Sequence, residues 1–275
     1  FSFELSRLLQ SRLTWLVLLL TVISPVAGLT LYKSATAETM LSMYLANPAI
    51  AGGVVSGILF GLLTVYELDR SGRSRVDILM NAIASPMRSA LIRMLALIVT
   101  SLLGLFLAML VWLPITFAQA GSVLDMTNYC LAYLLFMGLA LPCSILASAA
   151  CYQFTQRADL SIVLFAAFAA LSLTIWADNW QLCWLNPCVW ALSDDFTNFR
   201  VFRSVLYMRL TWLAALSGVW ILSWCCIRQH GKGILGSLLR SSRRVYRPVI
   251  AVLLIVCSGV AYAAQPIVDH SNPDE

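Results

Sequence analysis

The sequence predicts an all-α polytopic membrane protein, and three observations carry that prediction. Only 11% of its 275 residues are charged, against about 25% in an average globular domain. Seven stretches are apolar enough to cross ~30 Å of hydrocarbon, which takes roughly 20 residues. They run over 14–32, 49–66, 94–118, 130–153, 160–177, 210–227 and 248–264, and none holds an Asp, Glu, Lys or Arg. The basic residues between them are divided very unevenly. With a mean hydropathy of +0.84, this composition excludes an ordinary soluble enzyme, a disordered tail and a nucleic-acid-binding domain.

Each element follows in order. Stretches of this length suit helices, because barrel strands would alternate over about ten residues. Arg7, Arg12, Arg70, Arg73, Arg75, Arg88, Arg93, Arg157, Arg228, Lys232, Arg240, Arg243, Arg244 and Arg247 fall on one side, fourteen of the eighteen basic residues. Lys33, Arg200, Arg203 and Arg209 fall on the other, Arg209 at the edge of the sixth stretch. The excess marks the cytoplasmic side. The expectation is a cytoplasmic membrane protein with its amino end inside and, after seven spans, its carboxyl end outside.

Three connections carry more than a turn. Phe1 to Arg12 places Phe1, Leu5, Leu8 and Leu9 on one helical face with Glu4, Arg7 and Gln10 away from it, the pattern of a helix lying in the interface, with a frayed cytoplasmic extension of the first span as the alternative. From Glu67 to Arg93, residues Asp77, Ile78, Leu79, Ile83 and Ala84 allow a short helix that Ser85-Pro86 ends. A new helix then starts with Pro86 in its first turn. A docking knob and a charged loop that only sets topology both fit that pattern. The third connection, Asn179 to Met208, holds Trp180, Trp184, Trp190, Phe196, Phe199 and Phe202 around Asn186-Pro187. It predicts two short helices dipping into the outer leaflet, with a loose external loop as the alternative.

Much chemistry is missing. There is no phosphate-binding GxxxxGK[ST] loop and no HExxH helix, so no catalytic residue is assigned. The two histidines and the absence of CxxC give a metal site no support. Of eight cysteines, six lie in apolar stretches. Cys183 and Cys188, in the aromatic outer connection, are the one pair open to a bridge, and two free thiols fit as well. Gly53, Gly57 and Gly61 stripe the second span, and Pro142 kinks the fourth. They read either as close helix packing or as the wall of a path for an amphipathic substrate.

These parts, in this order, resemble the permease subunits of type-2 ABC exporters. Glu4-Leu5 through Leu13-Thr14-Trp15 resembles that family's elbow helix entering span one. Glu67, Leu68 and Asp69, then Val76-Asp77-Ile78-Leu79 and Ala84-Ser85-Pro86-Met87-Arg88, resemble its coupling helix. Asn186-Pro187 and the aromatics around it are similar to its external re-entrant helices. The resemblance covers about residues 1–228. It implies a six-helix core with an elbow helix and Glu67, Asp77, Ile78, Leu79, Ser85, Pro86, Met87 and Arg88 as ATPase-coupling residues. It also implies two cytoplasmic ABC ATPase subunits that hold the ATP and Mg2+ and a second permease, identical or homologous. This chain itself is then no enzyme and carries no cofactor.

The sequence departs from that pattern after residue 228. A basic amphipathic stretch, 229–247, suits anionic lipid at the inner surface. A seventh span at 248–264 then leads to 265–275, read as the start of an external segment. Two other classes stay open: a non-transporting anchor that displays an external domain, and a secondary carrier, which the charge-free spans disfavour.

Overall fold

The computed structural model describes residues 2–35, 39–73, 86–189, 191–226 and 246–264. Every regular element among them is helical, the outcome lipid imposes on a chain whose backbone groups must be satisfied internally. The short helix α1 (Ser2–Leu9) precedes α2 (Arg12–Ile23) and α3 (Val26–Thr30), which together make the first crossing. The break falls at Ser24-Pro25, where proline interrupts the backbone ladder and Ser24 Oγ donates to Thr21 O at 2.7 Å. A π turn at Ser42–Ala46 leads into α4 (Asn47–Arg73). Next come α5 (Pro86–Ala120) and α6 (Met126–Ala132). A second π turn at Tyr133–Gly138 leads into α7 (Ala140–Thr155), followed by α8 (Ala158–Leu173), α9 (Phe199–Cys226) and α10 (Tyr246–Ala263).

Among the described residues, five helices are long and apolar enough to cross a membrane: Arg12–Thr30, Ser42–Arg70, Met87–Val123, Met126–Thr155 and Phe199–Cys225. The chain is a multi-pass α-helical membrane protein. The other two expected spans are shorter apolar helices, Ala158–Leu173 and Arg247–Ala263. Sixteen residues rise only ~24 Å, short of the ~30 Å of hydrocarbon. The α8 helix stops because Thr174 leaves helical geometry (φ −119°, ψ −81°), and the chain then turns instead of continuing to residue 177.

α4 and α7 lie at the centre and are the most buried helices. α2 and α3, α8 and the π turn at Tyr133–Gly138 pack against α4; α5 lies outside α2, while α9 packs on α7 and α10 on α9. Two faces result. The elbow face carries α1, the end of α4 and the start of α5. The opposite face carries the segment before α4 and the loop between α8 and α9.

Three expectations are corrected here. The sixth span starts at Phe199 rather than 210, so it encloses Arg209 and the spans are not free of charge. The loop after α8 contains turns but no helix among its described residues, so the two dipping helices are not formed. Within α1, Glu4 is buried beside Leu8 and faces the bundle rather than pointing away, because two arginines wait there. Pro86 does open α5, as its fixed φ and missing N–H favour.

Candidate functional site

On the elbow face, three helices meet through a chain of charges. Arg7 Nε of α1 donates to Glu4 Oε2 at 2.9 Å. Arg7 Nη1 also lies 2.9 Å from Glu67 Oε2 near the end of α4, charge to charge without an aligned N–H. Arg70 reaches Glu67 Oε1 at 3.5 Å, and Arg93 of α5 lies 3.6 Å from Glu4 Oε1. Glu67 is only 3% exposed. Burial works against the Arg7 charge, but Glu67 and Glu4 outweigh it and raise the guanidinium pKa. A buried carboxylate needs such partners. The network ties α1 to the helices on both sides of the 74–85 connection.

Of the residues read as coupling to an ATPase, Glu67 stands in this network. Arg88, two residues into α5 from Pro86, is exposed, and Met87 is half-buried. Asp77, Ile78, Leu79 and Ser85 lie outside the described residues, as do 229–245 and 265–275.

On the opposite face, the chain over 179–189 runs between the helices without regular structure. Non-helical backbone at membrane depth survives only where protein supplies its hydrogen-bond partners. Here local backbone bonds, such as Cys183 N to Asn179 O at 3.1 Å, supply some of them, and side chains supply others. Ser172 Oγ accepts from Leu185 N at 3.0 Å, and Trp212 Nε1 donates to Gln181 O at 2.7 Å. Trp184 is fully buried and stacks on Phe168, with ring centroids 4.8 Å apart.

Arg209 closes this arrangement. It is 0% exposed and lies six residues beyond Arg203, roughly 9 Å deeper along α9. Its guanidinium donates to Trp184 O, to Leu185 O at 3.3 Å and to Phe136 O at 2.9 Å. No carboxylate pairs with it among the described residues, and Nε has no partner. The thiols of Cys143 and Cys183 lie near enough to feel its charge. Phe136 belongs to the second π turn, where Leu139 N reaches back to Leu134 O. Such bulges free or redirect carbonyls and cluster at functional positions.

The glycine stripe runs into the same place. A Cβ on Gly53 would stand 2.6 Å from Phe136 O, and one on Gly57 would stand 2.6 Å from Ser144 Oγ and 3.0 Å from Leu185 Cδ1. One on Gly61 would collide with the Phe165 ring. All three glycines therefore admit neighbours rather than line a passage in this conformation. Pro142, near the start of α7, is half-buried. The structure thus brings Gly53 and Gly57 together with Arg209, Trp184 and Leu185, which lie far apart in the chain. Arg209 is the residue that hydropathy missed, because a window of apolar residues is trimmed at its first charge. Leu206, Tyr207, Met208 and Leu210 on both sides of it were the available signal.

A clasp holds the loop to the segment before α4. Asp194 accepts from Met40 N and Leu41 N at 2.8 and 2.9 Å, as an acidic cap at a helix start does. Ser42 Oγ accepts from Leu192 N at 2.8 Å, and Thr39 Oγ1 donates to Leu192 O at 2.6 Å. Cys183 and Cys188 are both free thiols. Cys183 Sγ donates to Trp180 O at 3.2 Å; burial pushes its pKa up to about 12 and raises that of Cys188 as well.

No group of His, Cys, Asp or Glu among the described residues has a metal-binding arrangement. Comparison with protein families, with curated proteins and with solved structures finds no match to this chain.

Proposed function

We propose that this chain is the transmembrane permease subunit of an ATP-driven exporter of the type-2 ABC class, moving an amphipathic substrate across the cytoplasmic membrane. One observation carries the reading: the network of Glu4, Arg7, Glu67 and Arg93 joins α1 to both helices that flank the 74–85 connection. A force applied to that connection by a cytoplasmic partner would move α1, α4 and α5 together. ATP and Mg2+ would be held by two partner ATPase subunits, and their closure would shift the permease between arrangements that bind them differently. Because Gly53, Gly57 and Gly61 are packed shut, the substrate route is assigned to the boundary with a second permease, identical or homologous. External segments would follow the last span.

The test is co-purification followed by coupling. A permease brings an ATPase with it from detergent-solubilised membranes, whereas a membrane anchor comes out free of one. In the reconstituted complex, Pro86→Gly combined with Arg88→Glu should abolish substrate-dependent ATP turnover while insertion stays normal. Turnover unchanged by that pair would sink the coupling assignment. A gradient-driven carrier is not favoured by Arg209, since a guanidinium does not release its proton in a protein.

A further inference from the structure

α9 and α10 do not pack evenly along their length. Near the elbow-face end they touch closely: a Cβ on Gly218 would stand 2.7 Å from Ile255 Cγ1 and 2.9 Å from Ala251 O. Toward the other face they splay, and a Cβ on Gly259 would meet nothing within 4 Å. The gap is a cavity of about 350 Å³, lined by Met208, Trp212, Ala215, Ile255 and Gly259 among others, with Tyr207 and Tyr262 at its outer end. Tyr207 Oη donates to Ala261 O at 2.6 Å and bridges the two helices above it. Gly259 is exposed, so the cleft opens sideways.

The chemistry of the walls selects the occupant. Thr211 turns its hydroxyl back to Tyr207 O at 2.8 Å, leaving its methyl for the cleft. Gln181 and Ser258 add polar side chains to a wall that is otherwise mainly apolar, and left empty such a cleft would forfeit the contacts its walls could make. From Tyr207 to Ala215 the cleft follows α9 for about 12 Å, close to the ~15 Å depth of half a bilayer. A helix about 10–12 Å across does not enter a gap between two helices bridged by Tyr207, but a single hydrocarbon chain does. One turn outward from Tyr207, on the same helical face, stands the exposed guanidinium of Arg203. It sits where that chain would reach the headgroup level, and guanidinium suits phosphate.

We propose that the cleft between α9 and α10 holds one acyl chain of a membrane phospholipid whose phosphate sits on Arg203. The chain enters sideways beneath the Tyr207 bridge. This site uses the span that lies outside the six-helix core of the resemblance, and it stands whether or not the chain is a permease.

The experiment reconstitutes the full chain in vesicles of phosphatidylcholine and phosphatidylglycerol in equal parts. A phosphatidylglycerol with a photoreactive acyl chain is added as the probe. A diacylglycerol bearing the same photoreactive chain forms the second arm. Mapped cross-links should concentrate on 207–215 and 255–262, above the lipid-facing side of α5, which serves as the internal reference. Gly259→Trp should lower that labelling about tenfold with both probes while α5 is labelled as before. Gly259→Leu is the milder filling if the indole disturbs insertion. Arg203→Gln should lower the phospholipid label about tenfold, the equivalent of one charge-assisted hydrogen bond, and leave the diacylglycerol label unchanged. Equal labelling of α5 and the cleft, or a label that survives both fillings, overturns the site. A phospholipid label unmoved by Arg203→Gln overturns the phosphate assignment.

Discussion

The two faces solve the same problem, a charged side chain inside the bundle, in opposite ways. On the elbow face Arg7 is met by carboxylates, Glu4 and Glu67, and those are met in turn by Arg70 and Arg93. On the other face Arg209 is met by neutral carbonyls alone. Ion pairs near water are adjustable: they can be exchanged for water or another partner at small cost. A cation held by main-chain carbonyls at membrane depth is not, because nothing nearby replaces either side of the contact. The first arrangement suits a joint that moves, and the second suits a joint that keeps a non-helical loop seated.

The largest effect expected from breaking this contrast is at Arg209. Arg209→Leu leaves the carbonyls of Trp184, Leu185 and Phe136 without their donor and should cost about 1–3 kcal/mol for each acceptor left buried and unsatisfied, less the desolvation that the guanidinium no longer carries. Thermal unfolding in detergent measures it. Arg209→Lys should recover part of the loss, since an ammonium keeps the charge but not the planar fork. Equal stability of the leucine variant and the native chain would end the seating role.

On the elbow face, Glu67→Gln should cost about 1–2 kcal/mol, discounted because Arg7 and Arg70 are partly exposed. Hydrogen exchange of residues 2–9 should rise in this variant, and in the native chain it should rise with added salt. Exchange around Leu185 should not respond to salt. The contribution from Arg7 has a defined sign. Its pKa is raised in the fold, so that contribution is complete below the ordinary guanidinium value and is lost only as pH climbs through the higher one. Exchange of α1 should therefore carry no alkaline step from Arg7 in the range where cysteines ionise.

A smaller loss, about 1 kcal/mol, is expected for Asp194→Ala, which removes an acidic cap from the start of the helix leading into α4. Proteolysis of the 193–198 stretch is a direct readout, and Asp194→Asn should retain more protection than alanine does.

The smallest effect needs no loss of stability. A maleimide should label Cys188 slowly and Cys183 only after unfolding, with no change on adding reductant, because both thiols are free. As pH rises past the ordinary thiol value, the unfolded chain ionises Cys183 while the fold keeps it neutral until about 12. Stability should then fall with rising pH on this account. Rapid labelling of Cys183 in the native chain would show that the Arg209 seat is open to solvent.

How much of this was legible differs between the faces. The α1 helix, the break at Pro25 and the start of α5 at Pro86 all follow from local rules: amphipathic spacing, a locked φ, a missing N–H. Glu67 was singled out from its position at a span end, but its partners Glu4, Arg7 and Arg93 are separated from it by up to 63 residues and share no local pattern with it. The loop between α8 and α9 was recognised by its aromatic content, with two short helices expected and an irregular loop as the alternative. The irregular form is the one found, because Ser172, Trp212 and Arg209 supply hydrogen bonds from elsewhere.

What the sequence determined by itself is the solvent and the class. With 11% charge and apolar runs near 20 residues, only helices in lipid satisfy the backbone. The tertiary structure alone decided which polar groups entered that lipid. Arg209 could join the bundle only because a π turn, a glycine on α4 and a folded-in loop together present carbonyls to its guanidinium. Burial energy of a charge is a property of its surroundings, and those surroundings come from three separate parts of the chain.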